Sequence, residues 1–198
     1  MAKDLRLLKL AAICAVLLCA LAAFLNYRTS SAAVSARPGP LKEIEGYRSW
    51  TKVNEVPQLM APRVAIACAV VMAPGGVDVN GSTNPHRNKF FTVYVNDVGR
   101  EAMVSQKNPK FPVGTVIVKE KLPSKESQTP ELLTVMIKQK EGFNRASGDW
   151  EYAVMDGTGT RLEGRGNLQN CQSCHLANRE TDYVFRTYLS NDAKDALK

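Results

Sequence analysis

A β-rich α+β fold, an antiparallel sheet with a turn and helix at its C-terminal end, is predicted for this 198-residue chain, and three observations predict it. Residues 89–96, 113–121, 132–140 and 149–155 are rich in β-branched and aromatic side chains, which favour pleated, half-buried backbone. Turn-rich stretches at 122–129, 141–148 and 157–167 separate or end these segments, a spacing that suits antiparallel pairing. From about Thr181 the period changes, and Val184, Phe185, Tyr188 and Leu189 recur at helical spacing.

The elements before the sheet read as follows. Lys3, Arg6 and Lys9 precede an uncharged apolar run over residues 10–25, the layout of a secretory signal. Val34-Ser35-Ala36 offers small residues for cleavage, with Arg37 starting the mature chain. The run is long for a signal core and slightly short for a spanning helix. Residues 1–36 are therefore a signal peptide or an N-terminal membrane anchor, and membrane association is expected only through an uncleaved leader. Ile13 and Leu18, before Cys14 and Cys19, are too large for a lipoprotein site. Residues 37–45, opening on Arg37-Pro38-Gly39-Pro40, read as a linker to one domain over 46–198. Across this junction, 43–53 suggests a short helix carrying Tyr47 and Trp50. Residues 63–72 form an apolar run in which Cys68 suits a core position, and 73–88 form a loop rich in Gly, Asn and Pro.

The net charge of +7 includes four positive groups (Lys3, Arg6, Lys9, Arg28) and one negative (Asp4) in the leader, so the remainder carries +4. That mild excess, with no basic stripe interleaved with aromatics, argues against a nucleic-acid partner.

The chemistry is concentrated in Cys171-Gln172-Ser173-Cys174-His175, a Cys-x-x-Cys-His run of the kind that attaches c-type haem. On one helical turn, positions i, i+3 and i+4 share a face. Cys171 and Cys174 can then meet the two haem vinyl groups while His175 points at the iron as proximal ligand. The turn and helix that end the fold are thus expected to bind haem c, one group, covalently attached. A zinc site would need two more donors, and outside the leader only Cys68 and His86 are at hand, both remote in sequence. A thioredoxin-like pair belongs early in a βαβ pattern rather than near the C-terminus. Thioether attachment outside the cytoplasmic membrane agrees with the leader, and the expected location is the periplasm.

An electron-transfer cytochrome adds a second strong axial ligand. His86 lies in a Pro-His-Arg-Asn turn, where a solvated side chain is the ordinary role. Met60, Met72, Met103, Met136 and Met155 stand in no local motif and suit core filling. A five-coordinate iron, open to small ligands, is the expectation.

Several segments together resemble the cytochrome P-460 family, mono-haem c-type proteins of bacteria. They are Gly46-Tyr47-Arg48-Ser49-Trp50, Phe91-Thr92-Val93-Tyr94-Val95, the run from Phe111 through Gly114-Thr115-Val116-Ile117-Val118-Lys119-Glu120, Gly148-Asp149-Trp150-Glu151-Tyr152, and Cys171 to His175 continuing to Thr181-Asp182-Tyr183-Val184-Phe185. They span nearly the whole mature chain in the family's order. The resemblance implies an antiparallel sheet domain, a homodimer, and haem held near the C-terminal helix. It also implies oxidation of hydroxylamine or a related small nitrogen species, with a soluble c-type cytochrome as electron acceptor. In hydroxylamine-oxidising members a lysine bonds covalently to the haem ring, and Lys119 stands at that position.

Strand parity bears on that role. Thr115, Ile117, Lys119 and Lys121 share one face, opposite Val116, Val118 and Glu120. If the valine face alone is the core, Lys119 extends into water, as most lysines do. The sequence also departs from the catalytic pattern, which is expected to include a distal arginine and a carboxylate. Phe91 aligns with the arginine and Thr134 with the carboxylate, leaving a distal pocket of Phe90 or Phe91 with Thr134 and Met136. Such a pocket suits a neutral gas such as nitric oxide, the pattern of the related cytochrome c-prime-beta proteins. Three functions are carried forward: an oxidoreductase, a gas-binding cytochrome, and an electron carrier.

Overall fold

The computed structural model describes residues 39–62, 64–65, 87–190 and 195, all within the unit Ala36–Lys198. The leader and the expectations placed on Cys68, Met72, His86 and most of the 63–88 region lie outside the described residues.

Among the described residues, seven strands form one antiparallel sheet. They are β1 (Thr51–Lys52), β2 (Gln58–Leu59), β3 (Phe90–Val95), β4 (Val116–Leu122), β5 (Leu132–Lys138), β6 (Trp150–Asp156) and β7 (Leu162–Gly166). The order is β1-β3-β4-β5-β6-β7, with β2 also pairing along β3. β4 to β7 are sequential neighbours joined by turns, and β1 and β2 lie one after the other on the outer edge of β3. The four central strands coincide with the predicted segments. Both faces are covered, so burial along β4 and β6 is nearly continuous rather than alternating.

One face carries Val93, Val95, Ile117, Met136, Trp150 and Tyr152. It packs against Ala102 and Met103 of helix α1 (Asp97–Val104) and against Tyr183, Val184, Tyr188 and Leu189 of the C-terminal segment. The opposite face joins Val116, Val118, Leu133, Val135, Ile137, Ala153 and Met155 to Leu41 and Ile44. There the buried carboxylate of Glu120 accepts hydrogen bonds from the Tyr47 hydroxyl at 2.6 Å and Arg48 Nε at 2.8 Å, stitching the chain entry to the sheet.

Three sequence expectations are corrected and one element is added. The helix expected over 43–53 is two short 3-10 turns, Lys42–Ile44 and Tyr47–Ser49, followed by β1. Side chains from this segment reach down to the sheet, and Thr51 pairs with Val95, so tertiary pairing overrides the local tendency. Helix α1 was not expected. Asn96 caps it, its side chain accepting from the Gly99 N–H, but an interior glycine weakens the helical signal. Gly99 is there for proximity: a Cβ would sit 2.3 Å from Thr115 Cγ2. β7 falls inside the predicted 157–167 loop and is recruited by the edge of β6 through an irregular register at Val154/Met155. Over the described residues 181–190 the α-helix expected from Thr181 is not found. The 3-10 segment Leu176–Thr181 ends at Asp182 and Tyr183, both at positive φ, and Val184, Tyr188 and Leu189 are buried from irregular backbone. Periodicity reported which side chains are apolar; the turn decided how the backbone delivers them.

Candidate functional site

Helix α2 (Gln169–His175) follows β7. Cys171, Cys174 and His175 occupy i, i+3 and i+4 on it, so their side chains leave the same side. All three are half-buried, and Cys171 packs on the cluster around Val93 and Tyr152. The His175 ring stands edge-on to Phe185 at 5.0 Å and tilted against Tyr152 at 5.5 Å between centroids. Burial holds the Tyr152 phenol well above its ordinary range, and the adjacent Cys171 and Cys174 sulfurs push it the same way.

Nδ1 of His175 lies 2.6 Å from the backbone carbonyl of Tyr183. A carbonyl only accepts, so Nδ1 carries the proton and donates it, which leaves the lone pair on Nε2. Burial lowers the His175 pKa to about 4; the Tyr183 bond opposes this and the Lys119 charge adds to it. The imidazole is therefore neutral at pH 7, with one nitrogen anchored and the other ready to ligate, the state a metal-bound histidine requires.

The carbonyl that receives Nδ1 sits in unusual backbone. Asp182 and Tyr183 have φ of 52° and 66°, conformations that cost on the order of 1–3 kcal/mol each for such residues. Asp182 is almost fully buried. Its Oδ2 accepts from the Phe111 N–H at 2.9 Å and from Lys138 Nζ at 2.6 Å, and its carbonyl accepts from Trp150 Nε1 at 2.7 Å. The sequence reading assigned no role to Asp182, Tyr183, Lys138 or Trp150. Three of them fall in segments that carried the family resemblance, but no spacing signal links them.

Lys119 lies on the same sheet face as this site. Its register partners are Val93 and Thr134, and its Nζ stands 4.9 Å from the centroid of the Phe91 ring. Phe91 in turn makes an edge contact with Tyr188 at 5.6 Å. Lys119, Phe91 and Thr134 thus converge on the His175 face. Phe90, opposite Leu122 in the register, points to the other face. The surface alternative for Lys119 rested on the valine face alone being core, whereas both faces are packed. Met60, Met103, Met136 and Met155 are buried, with Met136 on the Lys119 face. Among the described residues no cluster of three or more His, Cys, Asp or Glu could hold a metal ion, and no helix is long and apolar enough to cross a membrane.

Two half-buried thiols one helical turn apart and a neutral histidine with its outer nitrogen anchored fit a thioether-bound haem. An antiparallel sheet with such a donor set packed on one face is the arrangement of a β-sheet c-type cytochrome. The chain matches the family model of Cytochrome P460 over residues 44–186. It belongs to that family and is a c-type haem cytochrome with one covalently bound haem c. No curated protein matches it.

The His175 pKa gives a prediction for the haem-free protein. An unfolded histidine titrates near 6.5 and the folded one near 4, so between these values the unfolded chain binds more protons. Stability is full above pH about 6.5 and falls as pH drops towards 4, by on the order of 1–3 kcal/mol. Urea midpoints at pH 7.5 and 4.5 should differ accordingly, and a His175→Gln variant should show a smaller difference. Equal pH dependence in the two proteins would show that His175 is not the group responsible.

Proposed function

We propose that this protein is an exported mono-haem oxidoreductase that oxidises hydroxylamine or a related small nitrogen species at a five-coordinate haem iron. Cys171 and Cys174 hold the haem, His175 ligates it through Nε2, and Lys119 bonds to the ring. The observation that carries this reading is the placement of Lys119, whose position in the family run falls on the His175 face, close enough for its charge to depress the histidine pKa. Haem supplies a redox-active iron open to a small ligand. The chain holds the neutral imidazole, fixes its tautomer through Tyr183, and walls one face with Phe91, Thr134 and Met136. The leader directs the chain to the periplasm as signal or inner-membrane anchor, a soluble c-type cytochrome accepts the electrons, and the working unit is a homodimer.

A second reading has its own support. Phe91 and Thr134 occupy the face where the catalytic pattern calls for an arginine and a carboxylate. Hydroxylamine oxidation sheds protons, and a positioned base assists such steps by about 10²–10⁴-fold. The Phe91 face suits capture of nitric oxide or carbon monoxide without turnover.

The optical spectrum of the ferrous, haem-loaded protein separates the two. A Soret band far to the red of an ordinary c-haem is expected for the Lys119-modified ring. An ordinary five-coordinate c-haem band would overturn the cross-link and leave the gas-binding reading. A low-spin six-coordinate spectrum at rest would overturn both in favour of an electron carrier. Replacing Cys171 and Cys174 together by serine should leave haem extractable into acidified organic solvent only in the unmodified case, because the Lys119 bond would retain it.

A further inference from the structure

We propose that the buried Lys138–Asp182–Trp150 cluster is a positioning device that holds the Tyr183 carbonyl against Nδ1 of His175 and so sets how strongly the imidazole donates to the haem iron. The inference deepens the haem reading above and rests on His175 being the axial ligand.

Three observations carry it. First, the carbonyl comes from the second of two successive non-glycine residues at positive φ. Bulky residues keep such backbone only where the surroundings over-determine it, and these outliers collect at functional sites. Second, the surroundings do over-determine it. Asp182 is gripped at its carboxylate by the Phe111 N–H and Lys138, and at its carbonyl by Trp150. Lys138 Nζ also donates to the Gly148 carbonyl at 2.8 Å, and the Tyr183 N–H donates to Asn178 at 2.7 Å. A Cβ on Gly148 would lie 2.4 Å from the Tyr183 ring, so the ring is seated against bare backbone. Third, the ion pair is buried on both partners. The Lys138 and Asp182 side chains are 12% and 6% exposed, and a buried ion pair contributes little net stability over apolar packing.

The chemistry at the ligand follows. The acceptor on the outer nitrogen fixes the ring orientation and raises its basicity. A short Nδ1–H···O=C bond gives the imidazole more imidazolate character, which strengthens the bond from Nε2 to iron and favours the ferric state. Lys138, Asp182 and Trp150 act only through Tyr183 and are positioning residues.

The test is resonance Raman spectroscopy of the iron–histidine stretch in the ferrous haem-loaded full chain, together with the midpoint potential. Asp182→Asn and Lys138→Met are expected to lower the stretching frequency. They should also shift the equilibrium about fivefold towards the ferrous state, a rise of about 40 mV at about 59 mV per tenfold for one electron. Lys138→Arg, which restores the charge, should recover most of both. Glu151→Gln serves as the control. It weakens a partly buried ion pair with Arg165 on the opposite face and should leave stretch and potential at wild-type values although it also costs stability. Trp150→Phe, which keeps the ring and loses only the N–H donor, gives a milder variant should the ion-pair variants fail to fold, with a smaller shift in the same direction. Wild-type stretch and potential in the folded variants would overturn the proposal. A wild-type stretch that survives in His175→Gly would overturn the axial assignment and the proposal with it.

Discussion

On the oxidoreductase reading proposed above, Lys119→Ala is expected to abolish hydroxylamine turnover, by at least about a hundredfold, and to return the ferrous Soret band to the position of an ordinary c-haem. The argument starts from parity. On β4, Lys119 shares a face with Ile117 and Lys121, and that face looks towards His175 rather than into water. Its ammonium lies over the Phe91 ring, a contact worth about 0.5–2 kcal/mol, so the unmodified side chain is already held near the site. Changes in hydrogen bonding or ligation around a metal commonly alter activity 10–100-fold. A bond to the ring itself, which also changes the electronic structure of the haem, should have at least the upper end of that effect. The alanine variant should still attach haem, because the thioether cysteines are on α2. Steady-state oxidation with an electron acceptor and the ferrous spectrum are measured on the same preparation. Turnover within threefold of wild type would remove Lys119 from the mechanism. A lost red shift with retained turnover would separate the cross-link from the activity.

Trp150→Ala should be the most destabilising single change in the sheet. Trp150 is fully buried, packs edge-on to Phe111 at 5.5 Å and lies under Lys138 Nζ at 5.0 Å. Its indole N–H also satisfies the Asp182 carbonyl. Removing a buried tryptophan costs about 3–5 kcal/mol, and leaving a buried carbonyl without its donor adds about 1–3 kcal/mol. Against a typical stability of about 5–15 kcal/mol, this leaves the variant near the folding threshold. At about 2–4 °C per kcal/mol for a domain of this size, the haem-free protein should melt at least about 10 °C lower. Trp150→Phe, which keeps most of the packing, should lose about 1–3 kcal/mol. A melting temperature for the alanine variant within 2 °C of wild type would refute the account of this residue.

These expectations come from different levels of the molecule. The Cys171, Cys174 and His175 spacing was legible in the sequence because three side chains on one helical turn need no distant partner to share a side. The four central strands were legible because Val, Ile, Phe and Tyr runs between turns carry their own signal. The parity of Lys119 against Val118 and Glu120 followed from the two-residue repeat of a strand.

Only the tertiary structure could say what each face meets. Because both faces are packed, parity alone could not tell that Lys119 faces the site and Phe90 does not. α1 and β7 form through the Asn96 cap, the close approach of Gly99 to Thr115 and the open edge of β6, interactions that local composition does not encode. The apolar spacing after Thr181 marked buried side chains correctly but not the backbone, because Asp182 and Tyr183 are forced to positive φ by partners as distant in sequence as Phe111. Haem attachment and the antiparallel sheet can be read from residue order, since both are written in short-range patterns. The Nδ1-protonated tautomer of His175 emerges only on folding, since the Tyr183 carbonyl that sets it is held by residues from three separate segments.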